Sequence, residues 1–305
     1  MVSRMELIGA FWKFGIFMFI LTFIFPICHY LLCLIKSNNL KYSEKQNFIP
    51  NLTILLPVKN ESKVICGKLT EIINMDYPNK CISILIIDSG SNDQTSLISK
   101  EFLSNNALDI NWSVISLDKP GKSVAVNHAL NIIDDEYMVM MDAEAILEPS
   151  TLKSIIHWFN DPKIGGVCGQ LRRNQDDPDG KYRGYYNIVR VGESAIYSTP
   201  IFEGSICAFR IKSLNSQKIN SNINSDDTQL ALMSLSSGYR TIMDPNIKFC
   251  DSLHEGKHRR IRQLRRGQGI IRTLLMNRNM ILNKQYGYIF AHTFYFHIIM
   301  PWLFV

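Results

Sequence analysis

The chain has 305 residues, 46% of them hydrophobic and 20% charged, with a mean hydropathy of zero. That composition excludes a disordered, collagen-like or low-complexity polymer, and the length allows about two domains. The net charge of +6 is unevenly spread: residues 252–285 hold nine Lys or Arg against the single Glu255, so the rest of the chain is slightly acidic.

The first element is an apolar run, Phe14 to Ile35, broken mainly by Thr22, Pro26 and His29. It approaches the ~20 residues that a membrane-spanning helix needs, exceeds the core of a cleaved signal, and lacks a small-residue cleavage site. Residues 7–35 are therefore predicted to be a transmembrane helix and a permanent anchor. From Asn51 onward, short runs rich in Ile, Leu, Val and aromatics (Leu52 to Val58, Ile82 to Asp88, Trp112 to Ser116, Tyr137 to Asp142) alternate with stretches of helical spacing (Glu61 to Met75, Gln94 to Leu103, Lys122 to Ile133). This β-α-β-α-β-α-β order predicts an α/β domain over residues 50–250 with a mostly parallel, Rossmann-like sheet covered on both faces.

Residues 251–285 are predicted to form a basic interfacial helical segment. Residues 286–305, free of Asp, Glu, Lys and Arg, are predicted to be a second transmembrane helix. Lys36, Lys41 and Lys45 at one junction and the basic segment at the other put the central region on the cytoplasmic side of the cell membrane by the positive-inside rule. The seven cysteines are scattered and never form a Cys-x-x-Cys pair, which argues against a disulfide framework or a zinc ribbon. Cys250, His254 and His258, spaced by four, form one conceivable metal set, weakened by Gly256.

Ligands of open parallel sheets bind beyond the carboxyl ends of the strands. Strand one ends in Pro57-Val-Lys-Asn60-Glu61, strand two in Asp88-Ser-Gly-Ser91-Asn-Asp93. The third leads into Gly121-Lys122, and the fourth ends in Asp142-Ala-Glu144. Carboxylates, a lysine and small polar residues thus gather at one edge, as a phosphorylated, metal-bound ligand requires. Simpler readings stand beside this one. Ser, Asn and Asp after strand two also make a turn that caps the next helix. Two acids after Ser225 also suit a helix N-terminus. Lys and Arg beside an anionic leaflet each contribute ~1 kcal/mol without any catalytic purpose.

In order and spacing, Pro57/Asn60/Glu61, Asp88/Ser91/Asp93 and Gly121/Lys122/Ala125/Asn127 resemble glycosyltransferase family 2. The resemblance extends over about residues 50–270, and the membrane-integrated branch of the family also fits the flanking apolar runs. It implies a nucleotide-diphospho-sugar transferase fold flanked by transmembrane helices, and inverting sugar transfer, with polysaccharide biosynthesis among the processes served. It implies that Pro57, Asn60, Glu61, Asp88, Asp93, Lys122 and Asp142 bind the nucleotide sugar. Asp142 and Glu144, standing where the family has Asp-x-Asp, would hold Mg²⁺ or Mn²⁺.

Phe202-Glu-Gly204-Ser resembles the acceptor-side loop, and Ser225-Asp226-Asp227-Thr228 the segment in which Asp227 takes the place of the catalytic base and Asp226 that of a neighbouring acid. The stretch Arg259 to Gly269 resembles the Gln-x-x-Arg-Trp segment in two registers. Gln263 with Arg266 keeps the Gln but has Gly267 for Trp; Arg262 with Arg265 loses both but keeps Gly269. The expected partners are a nucleotide diphosphate sugar donor, a lipid-linked or glycan acceptor and membrane lipids. No nucleic acid is expected, because 257–285 lacks interleaved aromatics. A processive polysaccharide synthase and a non-catalytic membrane subunit of the same fold are the rival readings.

Overall fold

The computed structural model describes residues 4–40, 48–172, 178–250 and 256–304. Its centre is one eight-stranded sheet. Strands β1 (Leu52–Val58), β2 (Ile82–Asp88), β3 (Asn111–Ser116) and β4 (Tyr137–Met141) form a parallel half in the order β3-β2-β1-β4. Beyond β4 lie β7 (Ile206–Arg210), antiparallel to both neighbours, then β6 (Ile164–Leu171) and β8 (Arg240–Cys250), parallel to each other. The two-residue β5 (Ile146–Leu147) lies antiparallel at the edge.

Alternation along β1 explains why it reads as an unbroken apolar run. Leu52, Ile54, Leu56 and Val58 enter one core with Ile65, Leu69 and Ile72 of α3 (Ile65–Ile73) and Leu103 of α4 (Thr95–Asn106). Leu55 enters the other, with Ala125 and Val126 of α5 (Lys122–Ala129) and Leu230 and Ala231 of α8 (Asp226–Ser236). A strand buried on both faces cannot alternate polar with apolar residues. The remaining helix on this layer, α6 (Thr151–His157), follows β5 and buries Leu152, Ile155 and Ile156 in the first core.

Around this sheet lies a second group of helices that includes both apolar runs. The N-terminal apolar rod comprises α1 (Arg4–Phe19), a π-helical turn (Ile20–Ile24) and α2 (Phe25–Ser37). Among the described residues Ile8–Ser37 is the one helix long and apolar enough to cross a membrane. It packs on α7 (Pro178–Ile196), where Tyr30 stacks on Tyr185 with ring centroids 5.0 Å apart.

The second apolar run departs from the expected uniform helix: α10 (Gly287–Phe294) passes into a π-helical turn (Tyr295–Ile299) and then a 3₁₀ turn (Met300–Phe304). Pro301 supplies the reason, since it has no N–H to donate and its ring crowds the preceding turn. This segment leans on the first rod through the Tyr295 hydroxyl, which donates to Leu21 O at 2.6 Å. The predicted basic helix is α9 (Gly256–Met276).

Gly192 sets how closely α2 and α7 approach: a Cβ there would lie 2.3 Å from the Cys33 Cα. Backbone cannot yield as a flexible side chain does, so Gly192→Ala should destabilise the chain by roughly 1–3 kcal/mol through overpacking. Thermal unfolding in detergent checks this; an unchanged midpoint would mean the two helices do not rely on that contact.

Candidate active site

A cleft of about 1180 Å³ opens at the carboxyl ends of β1 and β4 and runs toward α7 and α9. Pro57, Glu61, Lys122, Asp142, Glu144, Gly204, Asp226, Asp227, Gln263, Arg265 and Arg266 all line it. Asn60, Asp88 and Asp93 are not part of that lining, and their side chains are committed to the loops behind it. Asn60, at φ 59°, accepts from the Asn92 N–H through Oδ1 at 2.8 Å. Asp88 is 4% exposed and accepts from the Ser91 N–H at 2.9 Å and the Ser96 hydroxyl at 2.5 Å. Asp93 accepts from Thr95 and from the Ser62 N–H. This is the turn-and-cap chemistry of short polar side chains, and it fixes where Glu61 stands.

On the β4 side, Gly121 has φ 138°, a conformation that suits glycine, and starts α5 so that Lys122 turns into the cleft. Lys122 Nζ donates to Asp142 Oδ1 at 2.5 Å. Burial works against the ammonium, but Asp142 and then Asp226 more than offset it and raise its pKa above the ordinary lysine value. Glu144, two residues on, is 3.4 Å from an Arg262 guanidinium nitrogen. Glu61 completes a group of three carboxyls. Burial first, then Glu144 and Asp142, push it up to about 7.

Opposite stands the N-terminus of α8. Asp226 is buried and accepts from the Ser123 hydroxyl, whereas Asp227 is partly open to the cleft and accepts from the Thr228 N–H at 2.8 Å. Burial raises the Asp227 carboxyl to about 6, although Lys122 opposes the shift. Gly204 fits against this carboxylate, since a Cβ there would lie 2.9 Å from Asp227 Oδ2. Gly269 brings α9 against the same loop, where a Cβ would lie 2.2 Å from Asn224 O. Both registers of the basic segment therefore reach the cleft: Arg262, Gln263, Arg265 and Arg266 line it, and Gly269 makes the close approach.

The sequence model of glycosyl transferase family 2 matches residues 53–217, just over half of the chain. The chain belongs to glycosyltransferase family 2. Among relatives of this family, it is 31% identical over 141 residues to the poly-beta-1,6-N-acetyl-D-glucosamine synthase of Staphylococcus epidermidis, covering 46% of this chain and 33% of that protein. It is 29% identical over 164 residues to the dolichyl N-acetyl-alpha-D-glucosaminyl phosphate 3-beta-D-2,3-diacetamido-2,3-dideoxy-beta-D-glucuronosyltransferase of Methanococcus voltae, covering 52% of this chain and 47% of that one. These alignments thus span about a third to a half of the relatives' length. In structure it resembles the mannosyltransferase PcManGT from Pyrobaculum calidifontis in complex with GDP-Man and Mn²⁺, with a TM-score of 0.77 and 24% identity, covering 94% of this chain and 83% of that one. The shared fold is the α/β nucleotide-sugar transferase fold with a mostly parallel sheet, and the family assignment makes the chain a glycosyltransferase.

The family's divalent cation fits the residues present in its donor chemistry. Glu61, Asp142 and Glu144 offer hard oxygen donors at one edge, and the Glu61 carboxyl is raised first by burial and then by the charges of Glu144 and Asp142, which Arg262 only partly offsets. With its folded pKa near 7 and an ordinary value of about 4.3, Glu61 holds a proton below about pH 7 that a cation bound at its carboxylate would have to displace. Its contribution to stability is present below about pH 4.3 and fades as pH rises through about 7. Mn²⁺ affinity should therefore climb with pH up to about 7 and level off above, and Glu61→Gln should flatten that slope. Calorimetric titration at several pH values measures both; a slope unaltered by Glu61→Gln would detach this carboxyl from the ion.

Sequence reasoning missed one wall of the cleft. Arg183, Tyr186 and Arg190 of α7 face it, with both arginines paired to Glu203. Burial alone would raise the Glu203 carboxyl, but Arg183 and Arg190 outweigh it and hold it at about 2. Their spacing by three and four along one helix face was the available signal; nothing local named Glu203 as their partner. Of the Cys250, His254 and His258 set, His254 and the side chain of His258 lie outside the described residues.

Proposed function

We propose that this glycosyltransferase is membrane-anchored and inverting, moving a hexose or N-acetylhexosamine from a UDP-linked donor to a lipid-linked or glycan acceptor. The observation that carries this reading is the pairing of two functions across one cleft: the Lys122–Asp142 ion pair with Glu61 and Glu144 on one side, and the Asp227 carboxylate at the head of α8 on the other. Asp142 and Glu144 would hold a divalent ion, which would supply Lewis acidity against the charge that gathers on the departing nucleoside diphosphate. Lys122, Arg265 and Arg266 hold the phosphates. Asp227 accepts the acceptor hydroxyl proton as its oxygen attacks the anomeric carbon and the bond to the diphosphate breaks, which inverts that carbon.

The far wall supports a lipid-linked acceptor. Tyr182, Arg183 and Tyr186 of α7 and His297 of the C-terminal segment line it, so it is built from the helices that pack with the apolar rod. A lipid tail leaving the cleft there would run along apolar helices. The polymer-making relative from S. epidermidis supports a second reading, processive synthesis, against which Gly267 stands in the place of the expected Trp.

The apolar helix Ile8–Ser37 spans the membrane in this reading, with the residues after Lys36 in the cytoplasm. Protease protection in sealed right-side-out vesicles should shield a reporter at residue 50 and expose one before residue 8; the reverse pattern overturns the orientation. Donor class is tested by calorimetry across UDP- and GDP-sugars with and without Mn²⁺. Tight, Mn²⁺-dependent binding of UDP-sugars is expected. Preference for GDP-sugars would change the nucleotide, and absence of binding by every donor would favour a non-catalytic subunit.

A further inference from the structure

Away from the cleft, four metal-ligating side chains meet where α2, α7 and α10 converge. His29, Glu193 and His292 are 1%, 3% and 2% exposed. One ligand-type atom from each lies within 4.8 Å of the other two, the one such trio among the described residues. Cys33, one turn beyond His29 on α2, brings Sγ to 3.4 Å from His29 Nε2, and Glu193 Oε1 lies 3.5 Å from the same nitrogen. A tetrahedral zinc ion with bonds of about 2.0–2.3 Å holds its donor atoms roughly 3.3–3.7 Å apart. The two separations fall within that range.

The surroundings fit ligands more than loose polar groups. Glu193 Oε2 accepts from the Thr199 hydroxyl at 2.9 Å, and His29 Nδ1 meets the Tyr288 hydroxyl at 3.1 Å. Such outer contacts orient a carboxylate and an imidazole while leaving Oε1 and Nε2 for an ion. His292 Nε2 is buried without any hydrogen-bond partner. A buried carboxylate also needs a positive neighbour, and an ion at this place supplies one.

We propose that His29, Cys33, Glu193 and His292 form a structural zinc site that ties the N-terminal rod and the C-terminal segment to α7. The thiolate, imidazole and carboxylate donors are a set that Zn²⁺ accepts and that Mg²⁺ or Ca²⁺ does not favour. The imidazoles of His29 and His292 stack with centroids 3.4 Å apart and planes 15° from parallel. A metal lies in the plane of each ring that binds it, so His292 must turn to become the fourth ligand. It gives up no hydrogen bond at Nε2 in doing so, and a cavity of about 20 Å³ lined by Glu193 and His292 adjoins it. Because α7 also carries Arg183, Tyr186 and Arg190, the ion would fix one wall of the cleft from behind.

The test uses the full chain in detergent, carrying Asp142→Asn so that the cleft does not contribute bound metal. After chelator treatment, Zn²⁺ is added, free metal is removed by desalting, and retained metal is measured by mass spectrometry. The expected result is one zinc per chain, a higher melting temperature with Zn²⁺ than without, and at least a tenfold loss of affinity in His29→Ala and in His292→Ala. With Co²⁺ in place of Zn²⁺, Cys33→Ser should lose the near-ultraviolet thiolate band and keep the visible bands. Absence of retained zinc together with an unchanged melting temperature overturns the proposal and leaves a His29–Glu193 ion pair. Retention unaffected by both histidine variants overturns it as well. The melting-temperature comparison needs no variant at the proposed ligands, so misfolding of those variants cannot mask the answer.

Discussion

Asp227→Asn is expected to lower sugar transfer about 10²-fold or more and to leave donor affinity nearly unchanged. Asparagine keeps an oxygen for the Thr228 N–H, so the start of α8 should be preserved, but it would remove the carboxylate proposed to take the acceptor proton. At ~1.36 kcal/mol per tenfold, a 10²-fold loss is roughly 2.7 kcal/mol of transition-state stabilisation. Because burial raises the Asp227 carboxyl to about 6, the wild-type rate should fall as pH drops below that value, where the base becomes protonated. Asp226→Asn should be milder, since Asp226 is buried and turned toward the Ser123 hydroxyl. Single-turnover rates decide between the two: a larger loss at Asp226 would move the base by one residue, and little loss at either would remove the head of α8 from the chemistry.

Asp142→Asn is expected to abolish the dependence of donor binding on Mn²⁺. Asp142 is held at the end of β4, where its N–H donates to Ser205 O at 3.1 Å, and its carboxylate is the partner of Lys122. Removing it would take away the proposed metal ligand and leave the Lys122 ammonium without this carboxylate partner. Loss of an outer contact to a metal ligand typically costs 10–100-fold, so loss of the ligand itself should cost about 10²-fold or more in donor affinity. Glu144→Asp should be tolerated: the shorter side chain keeps the carboxylate charge, although it withdraws from Arg262. Donor titrations with and without Mn²⁺ measure both variants; equal affinities for wild type and Asp142→Asn would remove the metal role.

The parallel half of the sheet was legible because burial on both faces writes itself into composition. Leu52 to Val58 and Ile82 to Asp88 were bounded correctly from their apolar runs alone. The second half was not. β6 contains Gly165, Gly166 and Gly169, and a Cβ on Gly165 would lie 2.2 Å from Ser234 Oγ, so close packing there selects residues with no strand signature. β8 contains Pro245, which breaks the pattern in another way.

At the site, the motif residues on strand ends were readable, yet Asn60, Asp88 and Asp93 show the limit of residue type. The same oxygens that recognise a base also close a turn, and here they accept bonds from within the loops. Arg183 and Arg190 went unread because their meaning lies in Glu203, which only tertiary packing brings to them.

The most direct test is release of nucleoside diphosphate by the full chain reconstituted with a native lipid extract, supplied with UDP- and GDP-sugars and Mn²⁺. Mn²⁺-dependent release from one donor class is expected, at least 10²-fold slower in Asp227→Asn and about 10²-fold or more slower in Asp142→Asn at subsaturating donor. Release that persists at the wild-type rate in Asp142→Asn and Asp227→Asn would contradict the proposed mechanism.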